Sequence, residues 1–418
     1  MKTENFPKLS NRSSALGTEN AFVVLGEVTA LQRAGKDIIS FCIGQPDFPT
    51  PVNIQDAAVK AIREGKHGYT PSNGIPELRE AIARDVNRMR GFTGAQCVSA
   101  DDVVVGSGAK PFIAYAILST TDFGAGDEVI YPNPGFPIYE SQIVANGAVP
   151  VPLGLKEARN FAFDPADLEA AITPRTKLLI LNSPHNPTGG SLTRADLEAI
   201  AAIMRRHPQV WIYADEIYSR LIYPNGTSVD ANAAPFESIA ALPGMLERTI
   251  ISDGASKTWA MTGWRIGYAV NKTLAPTFTR WVTNTESCAS HISQWAAVEA
   301  INGPQADADM MKASFRKRRD LIVGLLNKVP GVTCLTPGGA FYAWPNVTEA
   351  CRMTGCADSE AFRKKLLNEA GVAVLADIHF GARVEGEGQH IRFSYAASEK
   401  AINDGVGRIA DWVQKNTR

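Results

Sequence analysis

The run SDGASKTWAMTGWRIGY, residues 252–268, holds one lysine, Lys257, among small, apolar and aromatic residues. Asp253 and Arg265 are its other charged members. Burial in such surroundings strips an ammonium of its hydration and lowers its pKa from near 10.4 by up to about 3–5 units. The neutral amine that results is a nucleophile toward carbonyls. Arg265, close by in sequence, would lower it further and offers a planar fork suited to phosphate. Taken alone, the segment also fits a lysine with a buried stem and a hydrated head, with Arg265 in a structural ion pair.

Three more stretches carry groups of matching chemistry. In GSGAK, Gly106 and Gly108 allow close backbone approach and Ser107 adds a hydroxyl, just before a helix start. Free N–H groups and the positive end of the helix dipole make such a start an anion site. In NSPHNPTGG, Asn186 is held between prolines and can present its amide at a fixed place. In VWIYADEIYSR, Asp215 ends an apolar run, where a carboxylate needs a cation or strong donors, and Tyr218 follows with a phenol. Each has an ordinary counterpart: a tight turn, a turn asparagine, a structural salt bridge. Together they offer a phosphate cradle, a Schiff-base lysine, a buried carboxylate and a phenol. That is the set pyridoxal 5'-phosphate calls for.

The elements that must position these groups follow from periodicity. Runs rich in Val and Ile predict strands at 102–106, 128–131, 149–152, 177–182, 210–215, 249–252 and 267–270. Helical patterns lie between them at 76–90, 110–120, 136–146 and 193–206, and the segment 20–40 is also helix-like. Near-continuous apolar strands alternating with helices predict an α/β fold with a mostly parallel sheet covered on both faces. Ligands of such sheets bind beyond the carboxyl ends of the strands, where all four stretches fall. After residue 303 a long Lys/Arg-rich amphipathic stretch, 307–328, and Gly-punctuated short elements predict a smaller α+β domain. The expected division is an N-terminal arm with part of the small domain (1–47), a large domain (48–303) and a C-terminal small domain (304–418).

Composition bounds the function. The chain has 418 residues, 45% hydrophobic and 20% charged, with formal net charge −1, so neither nucleic acid nor an anionic membrane is an expected partner. No run approaches the roughly 20 apolar residues of a membrane span, and the polar start lacks the core of a secretory signal. The six cysteines, at 42, 97, 288, 334, 351 and 356, show no zinc spacing, so no metal is expected, and they read as reduced thiols of a cytoplasmic protein.

The motifs SKTWAMTGWRIGY, NPTGG, YADEIY, PNPGFPIY and GYTPSNGIPELREAIA, in this order-preserving set, resemble the class I aminotransferases of the aspartate aminotransferase superfamily, from about IGQPDFPTP to IRFSYAAS. The resemblance implies the fold type I of pyridoxal-phosphate enzymes, with a seven-stranded, helix-sandwiched sheet in the large domain. It implies Lys257 as the Schiff-base lysine and proton shuttle, Asp215 as partner of the pyridine nitrogen, and Tyr218 and Asn186 as partners of the ring hydroxyl. Phe136 would stack on the ring. Ser107, Gly108, Ala109, Ser256 and Arg265 would hold the phosphate, and Tyr69 would reach the cofactor of a neighbouring subunit in a homodimer. Arg392 would clamp the substrate carboxylate, assisted by Asn186 and the Gly44 N–H. One departure is Gly254, where many relatives carry a serine phosphate ligand.

The implied reaction moves an amino group from an L-α-amino acid to a 2-oxo acid. The alternative is another reaction of the same cofactor: C–S β-elimination, decarboxylation or amino acid oxidation. A regulator built on this fold would carry a DNA-binding domain, for which the roughly 40 residues before IGQPDF are too few and insufficiently basic. Lys110 is the expected reader of a distal substrate carboxylate, with a solvated helix start as the plain alternative. Glu19 is expected to be solvated at the surface, with contact to a basic substrate side chain as the alternative.

Overall fold

The computed structural model describes residues 7–223 and 236–417. The first six residues of the expected N-terminal arm lie outside the described residues.

A central sheet runs, from edge to edge, through Val103–Gly106, Gly267–Val270, Thr249–Gly254, Trp211–Asp215, Thr176–Asn182, Glu128–Asn133, Val149–Lys156 and Ala162–Phe163. The strands from Thr249–Gly254 to Val149–Lys156 pair in parallel, and Gly267–Val270 runs antiparallel to both its neighbours. The seven expected strands are present. The eighth is a two-residue edge strand, Ala162–Phe163, too short to carry a period-2 signal.

Side chains on a strand alternate between faces, and the core divides accordingly. Leu178, Ile180, Tyr213 and Ile250 pack on one side with the helices Pro111–Thr120, Ile138–Ala145 and Ala275–Thr285. Leu179, Leu181, Ile212 and Ala214 pack on the other with Arg194–Arg206. Both faces are therefore apolar, which is why these strands read as continuous hydrophobic runs.

The helix Pro76–Arg90 has the expected bounds: Pro76 and Glu77 open it, and Gly91, at φ 68°, ends it. The helix-like pattern 20–40 stops early, at Arg33, because Gly35 turns the chain at φ 83°. The chain then forms the strand Ile39–Ser40, which pairs in parallel with Val372–Ala373. A three-stranded antiparallel sheet, Tyr342–Ala343, Ile391–Ser394 and Leu375–Ala376, brings Arg392 to its central strand. The helices Ala306–Leu326 and Glu399–Asn416 pack together nearby. Among the described residues no helix is long and apolar enough to cross a membrane.

Candidate active site

Register brings the strand ends together. Asn182 lies opposite Asp215, Asp215 opposite Ser252, and Gly254 and Gly106 both lie opposite Gly267. A cavity of about 540 Å³ opens beyond these ends. Lys257, Asp215, Tyr218, Asn186, Ser256, Arg265, Ala109, Lys110, Phe136, Gly44 and Arg392 all line it.

Lys257 sits in the short helix Ala255–Thr258 that follows its strand, and its Nζ donates to the Gly44 carbonyl at 2.7 Å. Burial lowers its pKa to about 8; Glu19 opposes that shift, and Arg265, Arg392 and Lys110 add to it. The expected isolation of this amine therefore has both its causes, an apolar setting and neighbouring cations. Gly44 presents its carbonyl to Lys257, whereas its N–H was the group expected to act. A side chain at 44 would collide with the Tyr342 hydroxyl, so glycine is required by close approach.

Asp215 is buried, and burial pushes its carboxyl up to about 6 against the hydrogen bonds it accepts. Those come from Tyr139 Oη at 2.7 Å and, more weakly, the Ile217 N–H. Tyr218 Oη lies 2.8 Å from Tyr342 Oη. Arg392 is buried, lies between the rings of Tyr342 and Phe380 at 4.7 Å from each, and donates to Asn186 Oδ1 at 2.9 Å and to the Cys42 carbonyl. Its Nε has no partner among the described residues.

The turn at Gly106–Lys110 differs from expectation. The Ser107 N–H already donates to Glu286 at 2.8 Å, and the Gly108 N–H to the Gly106 carbonyl at 2.7 Å. Fewer N–H groups are free there than the motif alone implies, and neither Ser107 nor Gly108 lines the cavity. Arg265 folds back onto the turn, donating to the Ser107 carbonyl at 3.1 Å. A Cβ at Gly108, which has φ 96°, would overlap that guanidinium, so glycine is what lets the arginine lie here. Gly254 has a similar explanation. A Cβ there would meet Gly267 Cα and the Ile266 carbonyl at 2.9 Å, so a serine has no room.

Tyr69 is 89% exposed and does not line the cavity. Glu19 corrects the expectation of a solvated surface residue: it lines the cavity and pairs with Lys110 at 2.8 Å. Lys110 also stands 5.2 Å from the centre of the Phe136 ring. Sequence reasoning missed Tyr139, Tyr342, Glu286 and a buried cluster beneath the floor. There Arg90 reaches Glu216 at 2.7 Å and Asp253 at 3.3 Å, with Ser238 and Ser219 completing the carboxylates' bonds. Tyr139 lies within the PNPGFPIY motif, so its position was visible although its partner was not.

The family model for aminotransferase class I and II matches residues 36–409. The chain belongs to the class I and II aminotransferases. It is 38% identical over 410 residues to the aspartate/prephenate aminotransferase of Cereibacter sphaeroides, covering 96% of this chain and 97% of that protein. It is 37% identical over 411 residues to an asparagine–oxo-acid transaminase of Streptococcus mutans, covering 98% and 100%. The crystal structure of an aspartate aminotransferase from Rhizobium meliloti superposes with a TM-score of 0.90 at 33% identity, covering 99% and 100% of the two chains.

This aminotransferase uses pyridoxal 5'-phosphate to transfer amino groups between amino acids and 2-oxo acids. The residues present fit that group. A lysine of lowered pKa, a buried carboxylate, a phenol and an arginine laid on a glycine turn converge on one cavity.

Proposed function

We propose that the cavity residues divide into three roles in transamination. Ala109, Ser256 and Arg265 hold the cofactor phosphate, and Ser107 and Gly108 shape the turn on which Arg265 lies. Asp215, braced by Tyr139, pairs with the ring nitrogen; Tyr218 and Asn186 face the ring hydroxyl, and Phe136 covers the ring. Lys257 anchors the cofactor and does the proton chemistry. The bound cofactor supplies an electron-accepting ring that stabilises the charge left at substrate Cα when its proton departs.

The chain's own residues do the rest. Lys257 Nζ, whose pKa is lowered to about 8, accepts the Cα proton in its neutral form as a general base. The Gly44 carbonyl, 2.7 Å from Nζ, orients the amine. Arg392 binds the α-carboxylate with its fork, and Tyr342 and Phe380 keep the guanidinium plane fixed. The single observation that carries the reading is the half-buried Lys257, of lowered pKa, lining one cavity with Arg392 and Asp215.

Stoichiometric amino transfer to an added 2-oxo acid tests it; release of ammonia, pyruvate or carbon dioxide instead would support elimination, oxidation or decarboxylation. Borohydride treatment of the holoenzyme should leave a stable label on the peptide containing Lys257, and label at another lysine would reject the assignment.

The same reading includes a homodimer. Tyr69, with 89% of its surface exposed, is available to reach a second subunit's cofactor, and Val52, Val59 and Ile62 lay an exposed apolar face on the helix Val52–Arg63. It also includes the division at 1–47, 48–303 and 304–418, supported by the separate sheets, and a cytoplasmic setting, which suits cysteines that are all free thiols. Amino and 2-oxo acids are the partners. The relatives' names point to donors with short polar side chains.

A further inference from the structure

The cavity lining holds a second pair of charges, of opposite sign. Glu19 precedes the helix Asn20–Arg33, and its side chain bonds Lys110 without capping that helix. The pair is part-buried: 25% of the Glu19 side chain and 46% of the Lys110 side chain are exposed. Phe136 lies under the ammonium, and Ala21, Phe22 and Ile113 add apolar surface to the same lining. In the same lining Arg392 is the cation assigned above to the α-carboxylate. A donor held at Arg392 therefore shares its cavity with a carboxylate and an ammonium that stand side by side.

We propose that Glu19 and Lys110 together select amino donors whose side chain ends in a carboxamide over the corresponding dicarboxylic acids. A primary amide is complementary to the pair: its carbonyl accepts from Lys110 while its NH₂ donates to Glu19. A carboxylate of the same shape can accept from Lys110 but has nothing to donate, and it faces the Glu19 carboxylate. Two like charges then share one ammonium, and one carboxylate is left without its partner. The preference is therefore produced as much by repulsion of the acid as by attraction of the amide. Lys110 does not act as a bare cation for a distal carboxylate, because Glu19 already occupies it. The assignment rests on the transamination reading, since it needs the donor's α-carboxylate at Arg392.

The test compares kcat/KM for asparagine and aspartate, and for glutamine and glutamate, in wild type, Glu19→Gln, Lys110→Met and the double variant. Each is assayed as holoenzyme with its cofactor absorbance matched. The ratio within each pair cancels general loss from altered folding or cofactor content. Glu19→Gln keeps the size and removes the charge, so the amide-to-acid ratio should fall by roughly tenfold, a charged hydrogen bond discounted for partial exposure. Lys110→Met should lower both members of each pair, and the double variant should lose the change that Glu19→Gln makes alone. An amide-to-acid ratio that is the same in Glu19→Gln as in wild type overturns the proposal. So does a wild type that transaminates other donors but neither member of either pair. A wild type that transfers no amino group from any donor rejects the transamination reading itself, and the proposal with it.

Discussion

The floor of the cavity and its mouth hold the same kinds of charge in opposite environments. Beneath the floor, Arg90 bridges Glu216 and Asp253 with side-chain exposures of 0%, 5% and 7%. At the mouth, Lys110 and Glu19 pair with 46% and 25% exposed. Water screens the second pair and not the first. Breaking the first leaves charge desolvated without a partner, whereas breaking the second leaves each group partly hydrated. Burial also moves protons on the floor. Asp215 and Asp253 are each pushed up to about 6, and Lys257 is lowered to about 8. The lesson is a division of labour: the floor sets protonation states and holds the sheet ends in place, and the mouth chooses among donors at little cost in stability.

The contrast can be broken at several points. Lys257→Ala removes the base itself. Turnover should fall by about 10⁴-fold or more, while cofactor absorbance shows that binding persists. Measurable turnover near the wild-type rate would mean another group moves the proton. Arg90→Met leaves two buried carboxylates unpaired and should cost roughly 3–5 kcal/mol in denaturant unfolding. A loss below about 1 kcal/mol, the range of exposed pairs such as Arg194 with Glu198, would show that the floor is not the dry region described.

Asp215→Asn keeps the shape and the Tyr139 contact but removes the charge. The chemical step should slow by about 10²–10³-fold with little change in thermal stability. An intact rate would separate Asp215 from the ring nitrogen. Arg392→Ala should weaken all α-amino acid donors alike, by roughly 2–5 kcal/mol in kcat/KM, because the α-carboxylate is common to them. A loss confined to acidic donors would move Arg392 from the α-carboxylate to the donor's side chain.

The smallest effect is a titration. In the cofactor-free protein the folded pKa of Lys257 lies below that of a free lysine, so its reactive neutral form grows as pH rises through about 8. The rate of reconstitution with cofactor should climb from about pH 7 and level off above about pH 9. A climb that continues toward pH 10 would indicate a hydrated, unshifted amine.

Much of this architecture was legible in the chain. Val- and Ile-rich runs marked seven strands, and Pro76 and Gly91 bracketed a helix, because period and end residues are local properties. Lys257, Asp215 and Asn186 were legible because reactive types stood after strand ends within distinctive motifs, whereas Arg392, inside the strand Ile391–Ser394, was legible only through the family resemblance. The Ala162–Phe163 strand was too short for periodicity, and the helices Val52–Arg63, Ala275–Thr285 and His291–Asn302 were not separated from their surroundings.

The partners were another matter. Tyr139 lies 76 residues from Asp215, Lys110 lies 91 from Glu19, Arg90 lies 126 from Glu216, and Ser107 lies 179 from Glu286. Sequence assigned Glu19 to the surface and left the N–H groups of the phosphate turn free; folding put Glu19 in the cavity and gave the Ser107 N–H to Glu286. The sequence by itself determined which chemical groups the chain owns and which strand ends carry them, since those follow from residue type and short-range period. Tertiary structure alone decided which charges face one another and how dry they are. Coulomb energy and desolvation depend on distance and burial, and segments far apart in the chain set both.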